Sequence, residues 1–265
     1  MPKKRYTAKK HVAPATWSQL IHDAVHTPGI LSTCFQHFHR FSVGNQLLAW
    51  CQCRARDIPM GPLATFKQWK KMGRTVTSGK GSAILLTMPI TVQPKDDDPD
   101  ARAKTFFVVK PRWFALAQTD GPEIPDDTPP DFDMDRALTA LNITQREYDG
   151  DGNAQGYSTA SREIAVSPLA EHRFRTIVHE IAHIELDHFA GRGTGEGAPK
   201  TLVEAEAEMV SYIVSDTFGQ SGADESRGYI QRWYGTGHEL PEASARQVMK
   251  ISQRIIDAGT TVPAS

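Results

Sequence analysis

The stretch RTIVHEIAHIELDH, residues 175–188, decides how the second half of this chain is expected to fold and act. Residues four apart share one face of a helix, so His179 and His183 can direct two imidazoles at one ion. Glu180 flanks that ion without binding it. In this H-E-x-x-H arrangement zinc lowers the pKa of a water molecule and the glutamate accepts its proton. The apolar neighbours predict a buried helix, in which a metal would offset the cost of burying these polar groups.

A third ligand separates this interpretation from an ordinary helix whose histidines find hydrogen-bond partners, because a catalytic site with two histidines needs one more protein ligand. Residues 203–209, VEAEAEM, offer three carboxylates on the next predicted helix. Glu204 and Glu208 share a face, whereas Glu206 points away from it. We expect Glu204 to be the ligand and Glu208 to support a ligating histidine. Thr201 and Glu204 also fit a capping box, in which case Glu206 or Glu208 would be the ligand.

Two other groups of residues are weaker candidates for metal binding. His188 lies off the ligand face by helical phase, and we expect a surface or supporting role for it. The N-terminal half carries a cluster that fits no closed zinc template, so its cysteines are expected to behave as small apolar residues. The members of that cluster are Cys34, His37, His39, Cys51 and Cys53.

Composition excludes several classes of protein. Of the 265 residues 39% are apolar, which is enough for globular cores and argues against a disordered chain. No run of 18 apolar residues suggests a membrane span, and the basic first ten residues precede no signal-peptide core. Three cysteines argue against a disulfide framework. We therefore expect a cytoplasmic protein with no membrane partner.

The near-zero net charge hides two halves of opposite sign. Residues 1–120 contain 18 Lys and Arg against 7 Asp and Glu, and the rest contains 12 against 24. Residues 119–133, TDGPEIPDDTPPDFD, are too rich in proline and acid for a packed core, which indicates a boundary between domains. We predict one domain over residues 1–125 and a second over 126–265.

Periodicity predicts an α+β fold, with N-terminal helices beside a small antiparallel sheet and a mostly helical C-terminal domain. In the first half a helix is expected over residues 62–73 and a hairpin over 74–92. Residues 105–118 are expected to form a strand, or a pair of strands broken near Pro111. In the second half a strand over residues 163–166 precedes the H-E-x-x-H helix, and the last helix is expected to stop at Gly259.

The basic first half has the composition of a nucleic-acid-binding domain, because cationic residues alternate with aromatic ones. A solvated basic face over an aromatic core is the competing interpretation, and the spacing of Phe66 and Trp69 fits a buried stripe. The residues chosen as nucleic-acid contacts are Lys70, Lys71, Arg74, Lys80 and Arg112.

The C-terminal half resembles the ImmA/IrrE metallopeptidases, whose H-E-x-x-H helix precedes an E-x-x-A-[DN] helix in a gluzincin-like domain. By position, the resemblance implies zinc ligands at His179, His183 and Glu204 and a catalytic base at Glu180. Glu208 stands where that family has Asp or Asn. The resemblance further implies that the strand over residues 163–166 is an edge strand that pairs with a substrate peptide.

The first half resembles the N-terminal domain of the ArdC antirestriction family. The blocks that carry the likeness are FSVGNQLLAWCQ, ATFKQWKKMGRTVTSGKGSAILLTMP and FALAQTDGPEIP. That family joins a single-stranded-DNA-binding domain to a metalloprotease-like domain. The resemblance therefore implies a single-stranded-DNA-binding zinc metalloendopeptidase that protects or processes DNA-bound proteins on incoming DNA. The alternative is a non-proteolytic DNA-binding antirestriction protein in which the zinc is structural.

Overall fold

The computed structural model describes residues 15–79, 82–92, 104–125, 127–150, 154–190 and 198–260. Lys80, one of the predicted nucleic-acid contacts, lies outside these ranges. The described residues form two compact units, the first within Asn45–Asp127 and the second comprising Ala15–Gly44 and the chain from Thr128 onward.

Helices occur in both units and dominate the second. In chain order they are α1 (Trp17–His26), α2 (Ile30–Phe38), α3 (Val43–Ala55), α4 (Phe66–Lys71), α5 (Met134–Ala140), α6 (Arg173–Glu185), α7 (Lys200–Thr217), α8 (Ala223–Gly235) and α9 (Glu242–Thr260).

Within the described ranges the strands form three small sheets. They are β1 (Leu63–Thr65), β2 (Thr75–Val76), β3 (Ile84–Val92), β4 (Lys104–Ala115), β5 (Thr119–Asp120), β6 (Thr144–Arg146), β7 (Gly156–Ser158) and β8 (Glu163–Val166). Together with the helices they confirm the predicted α+β class. No helix in the described ranges has both the length and the apolar character that a membrane crossing requires.

The main sheet of the first unit has the order β1-β4-β3, and α3 satisfies the outer edge of β3. The amide of Asn45 accepts from the N–H of Thr87 and donates to its carbonyl oxygen, both at 2.9 Å. Gln52 bonds in the same way to the N–H and carbonyl of Leu85, at 2.9 and 2.7 Å. These two side chains take the place of a neighbouring strand and cover an edge that otherwise invites aggregation.

The predicted helix over residues 62–73 is wrong in its first part, since those residues form β1 before the short α4 begins. Thr65 caps α4 in a capping box with Gln68. The helix directs Trp69 into the small core of the unit, where the indole N–H donates to the Phe114 carbonyl at 2.9 Å. Phe66 does not share this burial: its side chain is 55% exposed, which contradicts the expectation of a buried stripe.

The predicted hairpin over residues 74–92 is also wrong. β2 pairs with β5, and β3 pairs with β4. Alternation identified the strands, but their partners lie farther along the chain, which local sequence does not specify. Opposite Ile84 and Leu85 the register shifts, because their partners in β4 are Trp113 and Pro111. Arg112 is the extra residue of this bulge, where a proline is tolerated and a side chain can be redirected.

The second unit packs its helices around α7, beside a sheet of order β6-β8-β7. The α7 helix lies against α2, α6, α8 and α9. At the end of α6, Glu185 is almost fully buried and pairs with both Arg162 and Arg254. This double pairing anchors the C-terminal end of α6 to the β7–β8 turn and to α9.

Residues 15–44 pack with the C-terminal unit. The two units therefore differ from the predicted domains, which had a single boundary between residues 125 and 126. Glu242 accepts from the N–H groups of Trp17 and Ser18 at 3.2 and 3.1 Å and so caps α1. The Tyr212 hydroxyl on α7 donates to the Ala24 carbonyl at 2.9 Å. These contacts join chain segments about 200 residues apart, so no local pattern indicates them.

The end of α9 also departs from the prediction, because the helix continues through Gly259 to Thr260. A Cβ atom at Gly259 would lie 2.3 Å from the ring of Phe132. Glycine is needed here for close packing of a ring against the helix, and it does not terminate the helix. Neither α8 nor β6 was predicted from the sequence.

Candidate functional site

The α6 helix presents the H-E-x-x-H residues toward α7. Ile177, Val178 and Ile181 are buried, which fixes the helix in the core of the unit. His179 and His183, one turn apart, bring their Nε2 atoms to 3.1 Å from each other. Such a close approach of two ring nitrogens needs a proton or a metal ion between them.

The α7 helix completes a possible metal site with Glu204. Its Oε2 atom lies 3.5 Å from His179 Nε2 and 3.5 Å from His183 Nε2. Tetrahedral zinc with bonds of about 2.0–2.1 Å separates its ligands by roughly 3.3 Å. The three atoms therefore have the spacing and the chemistry of a zinc ligand set. Across the described ranges, no other cluster of His, Cys, Asp and Glu has metal-binding spacing, and the N-terminal Cys and His residues form none.

The alternative roles of the α7 carboxylates are not seen. Pro199 is the N-cap of α7 and Thr201 lies inside the helix, so the capping box with Glu204 does not form. Glu206 turns to His188, with Oε2 3.1 Å from its Nε2. Glu208 turns to His179, and its Oε2 atom lies 3.0 Å from His179 Nδ1 without the alignment of an ordinary hydrogen bond.

Glu208 is itself held by partners that the sequence did not indicate. Arg175 on α6 pairs with Glu208 and donates through Nε to Ser226 Oγ on α8 at 2.7 Å. Burial by itself raises the pKa of Glu208, but the nearby His179 and Arg175 outweigh it and lower the pKa to about 2. The carboxylate therefore remains charged beside His179 and can orient its ring.

Glu180 faces a pocket beside the ligand triangle. The side chain is buried, and its Oε2 atom accepts a hydrogen bond from Ser158 Oγ at 2.7 Å. The pocket has a volume of about 230 Å³. It is lined by Gln155, Gly156, Arg175, Thr176, His179, Glu180 and Glu208.

The strand expected to hold a substrate is not at the edge of its sheet. β8, which covers residues 163–166, lies between β6 and β7. Both of its sides are already paired within the sheet. The strand at the edge near Glu180 is β7, which carries Ser158. The parallel pairing of β6 with β8 joins segments that are not adjacent in the chain, and no local pattern indicates it.

The pKa of His179 leads to a prediction for the metal-free protein. Burial by itself lowers this pKa, but Glu204 and Glu208 outweigh it and raise the pKa from 6.5 to about 9. The protonated ring is favoured in the folded state, so its stabilising effect is complete below pH 6.5 and is lost as pH rises through 9. Thermal melts of chelator-treated protein should therefore show a falling Tm across this range. Zinc binding displaces the proton, so zinc affinity should rise over the same range.

A Tm of the chelated protein that is constant between pH 6.5 and 9 would contradict this prediction. The matched control is His183→Ala, which removes the facing ring but keeps both carboxylates beside His179. It should retain most of the pH dependence, because Glu204 and Glu208 cause the shift.

The predicted cationic contacts of the first unit have different surroundings. Lys70 and Lys71 are exposed at the end of α4. Arg74 has structural partners within its own unit. Its guanidinium donates to Thr119 Oγ1 at 2.8 Å and to the Gly121 carbonyl at 3.0 Å, with further bonds to backbone carbonyls of the same turn. These four bonds engage all three guanidinium nitrogens and give the side chain a structural role.

Arg112 lines a groove of about 700 Å³ in the first unit. The bulge in β4 brings Arg112 beside Phe66 and Lys67, and all three side chains are exposed. The other lining residues are Thr65, Val76, Ser78, Pro111 and Phe114. An exposed aromatic ring in the same groove as two cationic side chains can stack a base while the cations attract phosphate. The alternation of cationic and aromatic residues pointed to this segment, but no local pattern indicates that Phe66 is exposed while Trp69 is buried.

The comparisons with known proteins match residues of both units. Residues 9–113 match the family model of the N-terminal domain of anti-restriction factor ArdC. Two solved structures of antirestriction ArdC protein from R388 plasmid, one metal-free and one Mn(II)-bound, match with a TM-score of 0.51. They are 17% and 16% identical to this chain, and each match covers 91% of it and 97% of the other chain. No curated protein sequence matches significantly. The family match identifies an ArdC-like N-terminal segment, and the structural matches show that the chain shares the fold of those proteins.

Proposed function

We propose that this protein is an ArdC-type antirestriction protein that binds single-stranded DNA through its first unit and hydrolyses peptide bonds at a zinc site in its second unit. The observation that carries the proposal is the triangle of His179, His183 and Glu204 ligand atoms, with sides of 3.1, 3.5 and 3.5 Å, beside buried Glu180. Three protein ligands leave one position of tetrahedral zinc open, which is typical of catalytic sites and not of structural ones.

The chemistry of the site follows from its donor groups. A bound zinc ion would acidify a water molecule and polarise the carbonyl of the scissile peptide. Glu180 would accept the proton of that water and then donate it to the leaving amine. Ser158 holds the Glu180 carboxylate through the 2.7 Å hydrogen bond, which keeps the base in one orientation.

The surroundings of Glu180 favour an extended peptide as the substrate. β7 lies at the edge of its sheet, and its residue Ser158 contacts Glu180. A peptide that pairs with the main chain of β7 would pass directly beside the base. The pocket of about 230 Å³ would then receive one substrate side chain.

Zinc is the metal that the two imidazoles and one carboxylate suit best, and manganese is a second candidate because a solved ArdC structure is Mn(II)-bound. His179 and His183 also suit cobalt or nickel, so donor chemistry alone does not select the ion. Metal availability in the cell contributes to that selection.

The proposed DNA site is the groove of Phe66, Lys67 and Arg112. Non-specific binding of single strands combines aromatic platforms with cationic contacts to the backbone. The groove offers both an aromatic ring and cationic side chains at the place where α4 begins beside the β4 bulge. DNA held there would raise the local concentration of DNA-bound proteins near the peptidase unit.

Metal analysis of purified protein tests the proposal directly. The wild-type chain should bind one zinc ion, whereas His183→Ala should lose it because two ligands remain. Glu204→Ala should weaken zinc binding strongly. Glu204→Asp should recover part of the affinity if the shorter carboxylate still reaches the metal ion. Elemental analysis after gel filtration and competition with a chromogenic chelator give the stoichiometry and the affinity.

The control for this experiment is Glu239→Ala, which removes an exposed carboxylate outside the ligand set and should leave zinc binding unchanged. A wild-type protein that takes up no divalent metal would end the proposal for the second unit. Stoichiometric, tight zinc in Glu204→Ala would show that Glu204 is not the third ligand.

A further inference from the structure

His188 follows the last turn of α6, and the backbone folds it back onto His183. The N–H of His188 donates to the His183 carbonyl at 3.0 Å, and the N–H of Asp187 donates to the Ile184 carbonyl at 3.1 Å. This pair of bonds is a Schellman motif, which needs a left-handed residue between the helix and His188. Asp187 supplies it with a φ of 55°. Because glycine is usual there, an aspartate in that conformation indicates that the turn is strongly determined by its surroundings.

The side chains of the same two residues meet as well. His183 Nδ1 lies 2.9 Å from His188 Nδ1, and His188 Nε2 lies 3.1 Å from Glu206 Oε2. The side chains of His183, His188 and Glu206 are 8%, 5% and 12% exposed. A chain of buried hydrogen bonds therefore runs from α7 through His188 to the ring that presents its other nitrogen to Glu204 and His179.

The positions of the protons in this chain follow from the donors and acceptors. A carboxylate only accepts, so His188 Nε2 carries a proton and donates it to Glu206. In neutral His188 the Nδ1 atom is then an acceptor, and His183 Nδ1 must donate to it. His183 Nε2 consequently keeps its lone pair, which is the form that a metal ion requires.

We propose that His188 and Glu206 are positioning residues for the metal site: they hold the His183 ring in the tautomer and orientation that bind the metal through Nε2. The inference rests on the proposed metal site and assigns a role to two residues outside the ligand set. Glu208 contacts the His179 ring directly. Glu206 instead acts on His183 indirectly, through the imidazole of His188. Without His188, the Nδ1–H of His183 would have no acceptor, and the ring could turn or change tautomer.

Zinc affinity of the full chain is the appropriate measurement, and His188→Phe is the main variant. Phenylalanine keeps a ring of similar size but has neither nitrogen. Partners of ligating histidines typically contribute about 10- to 100-fold to metal affinity, so zinc binding should weaken by that factor. Glu206→Gln keeps an acceptor for His188 without the charge, and we expect a smaller loss. His26→Phe, at an exposed histidine of the same unit, should change nothing.

A nitrogen-15 NMR spectrum of the histidine rings in zinc-loaded protein supplies a readout that general destabilisation would not change. In the wild type the Nδ1 proton of His183 should be protected from exchange, and in His188→Phe it should exchange quickly. The Tm of the metal-free form shows whether each variant folds. If His188→Phe does not fold, Glu206→Gln carries the test through the same two measurements.

The outcomes separate this inference from the proposed function. Weaker zinc binding in His188→Phe with an unchanged metal-free Tm supports it. Wild-type zinc affinity in a folded His188→Phe overturns the inference and leaves the proposed metal site intact. If His188→Phe does not fold, wild-type zinc affinity and exchange protection in Glu206→Gln have the same consequence. A wild-type chain without zinc affinity overturns both.

Discussion

The Glu180→Gln variant should keep its zinc but lose peptide hydrolysis by a factor of about 10² to 10⁴ in kcat. Glutamine has nearly the same shape, and its amide oxygen can still accept the hydrogen bond from Ser158 Oγ, now 2.7 Å from Glu180 Oε2. It cannot accept a proton from water at neutral pH. The measurement is kcat on an unstructured protein substrate, together with the zinc content of each preparation.

The control for this prediction is Ser158→Ala, which leaves the base in place and removes its hydrogen-bond donor. It should reduce kcat less than Glu180→Gln and should leave zinc binding unchanged. Undiminished hydrolysis by Glu180→Gln would exclude Glu180 as the general base. Protection of DNA that survives in Glu180→Gln would show that the antirestriction activity does not need peptidase activity, which is the alternative function.

Single-stranded DNA should bind about 10- to 1,000-fold more weakly to the double variant Phe66→Ala, Arg112→Glu. Loss of one stacking platform costs about 1–3 kcal/mol, and the reversed charge removes a phosphate contact and adds repulsion. Phe66→Trp should retain most of the affinity because it keeps an aromatic face. Fluorescence anisotropy with a labelled oligonucleotide at several salt concentrations measures both the affinity and its salt dependence.

Lys71→Glu is the matched control, because it reverses one charge on an exposed residue of the same unit that does not line the groove. If the groove is the binding site, Arg112→Glu should weaken binding more than Lys71→Glu. An equal loss in the two single variants would indicate a diffuse basic surface. A larger loss in Lys71→Glu would indicate that DNA binds at the end of α4, where Lys70 and Lys71 were predicted as contacts.

Local sequence patterns were sufficient wherever the relevant partners lie within a few residues. Four-residue spacing placed His179 and His183 on one helical face, and the same spacing placed Glu204 and Glu208 together on α7. Helical phase depends only on backbone geometry, so it can be derived without the tertiary structure.

Helical phase alone also misled the prediction at Phe66. Its spacing from Trp69 fits a buried stripe, yet only Trp69 enters the core. The short α4 buries one side against β4, and whether a neighbouring aromatic is covered depends on which strand lies opposite. The sequence does not contain that information in local form.

The sequence by itself determined that the site residues lie on helices, which two histidines face the same way, and which carboxylates on α7 are candidate ligands. Only the tertiary structure decided which carboxylate faces which histidine. Glu204 faces both His179 and His183. Glu206 faces His188, and Glu208 faces His179. It likewise decided that Arg74 stabilises a turn, that β7 and not β8 lies at the sheet edge, and that residues 15–44 pack with the C-terminal unit. The physical reason is the same in each case, since these roles depend on contacts between segments far apart in the chain, whose pairing is selected by packing and not by spacing.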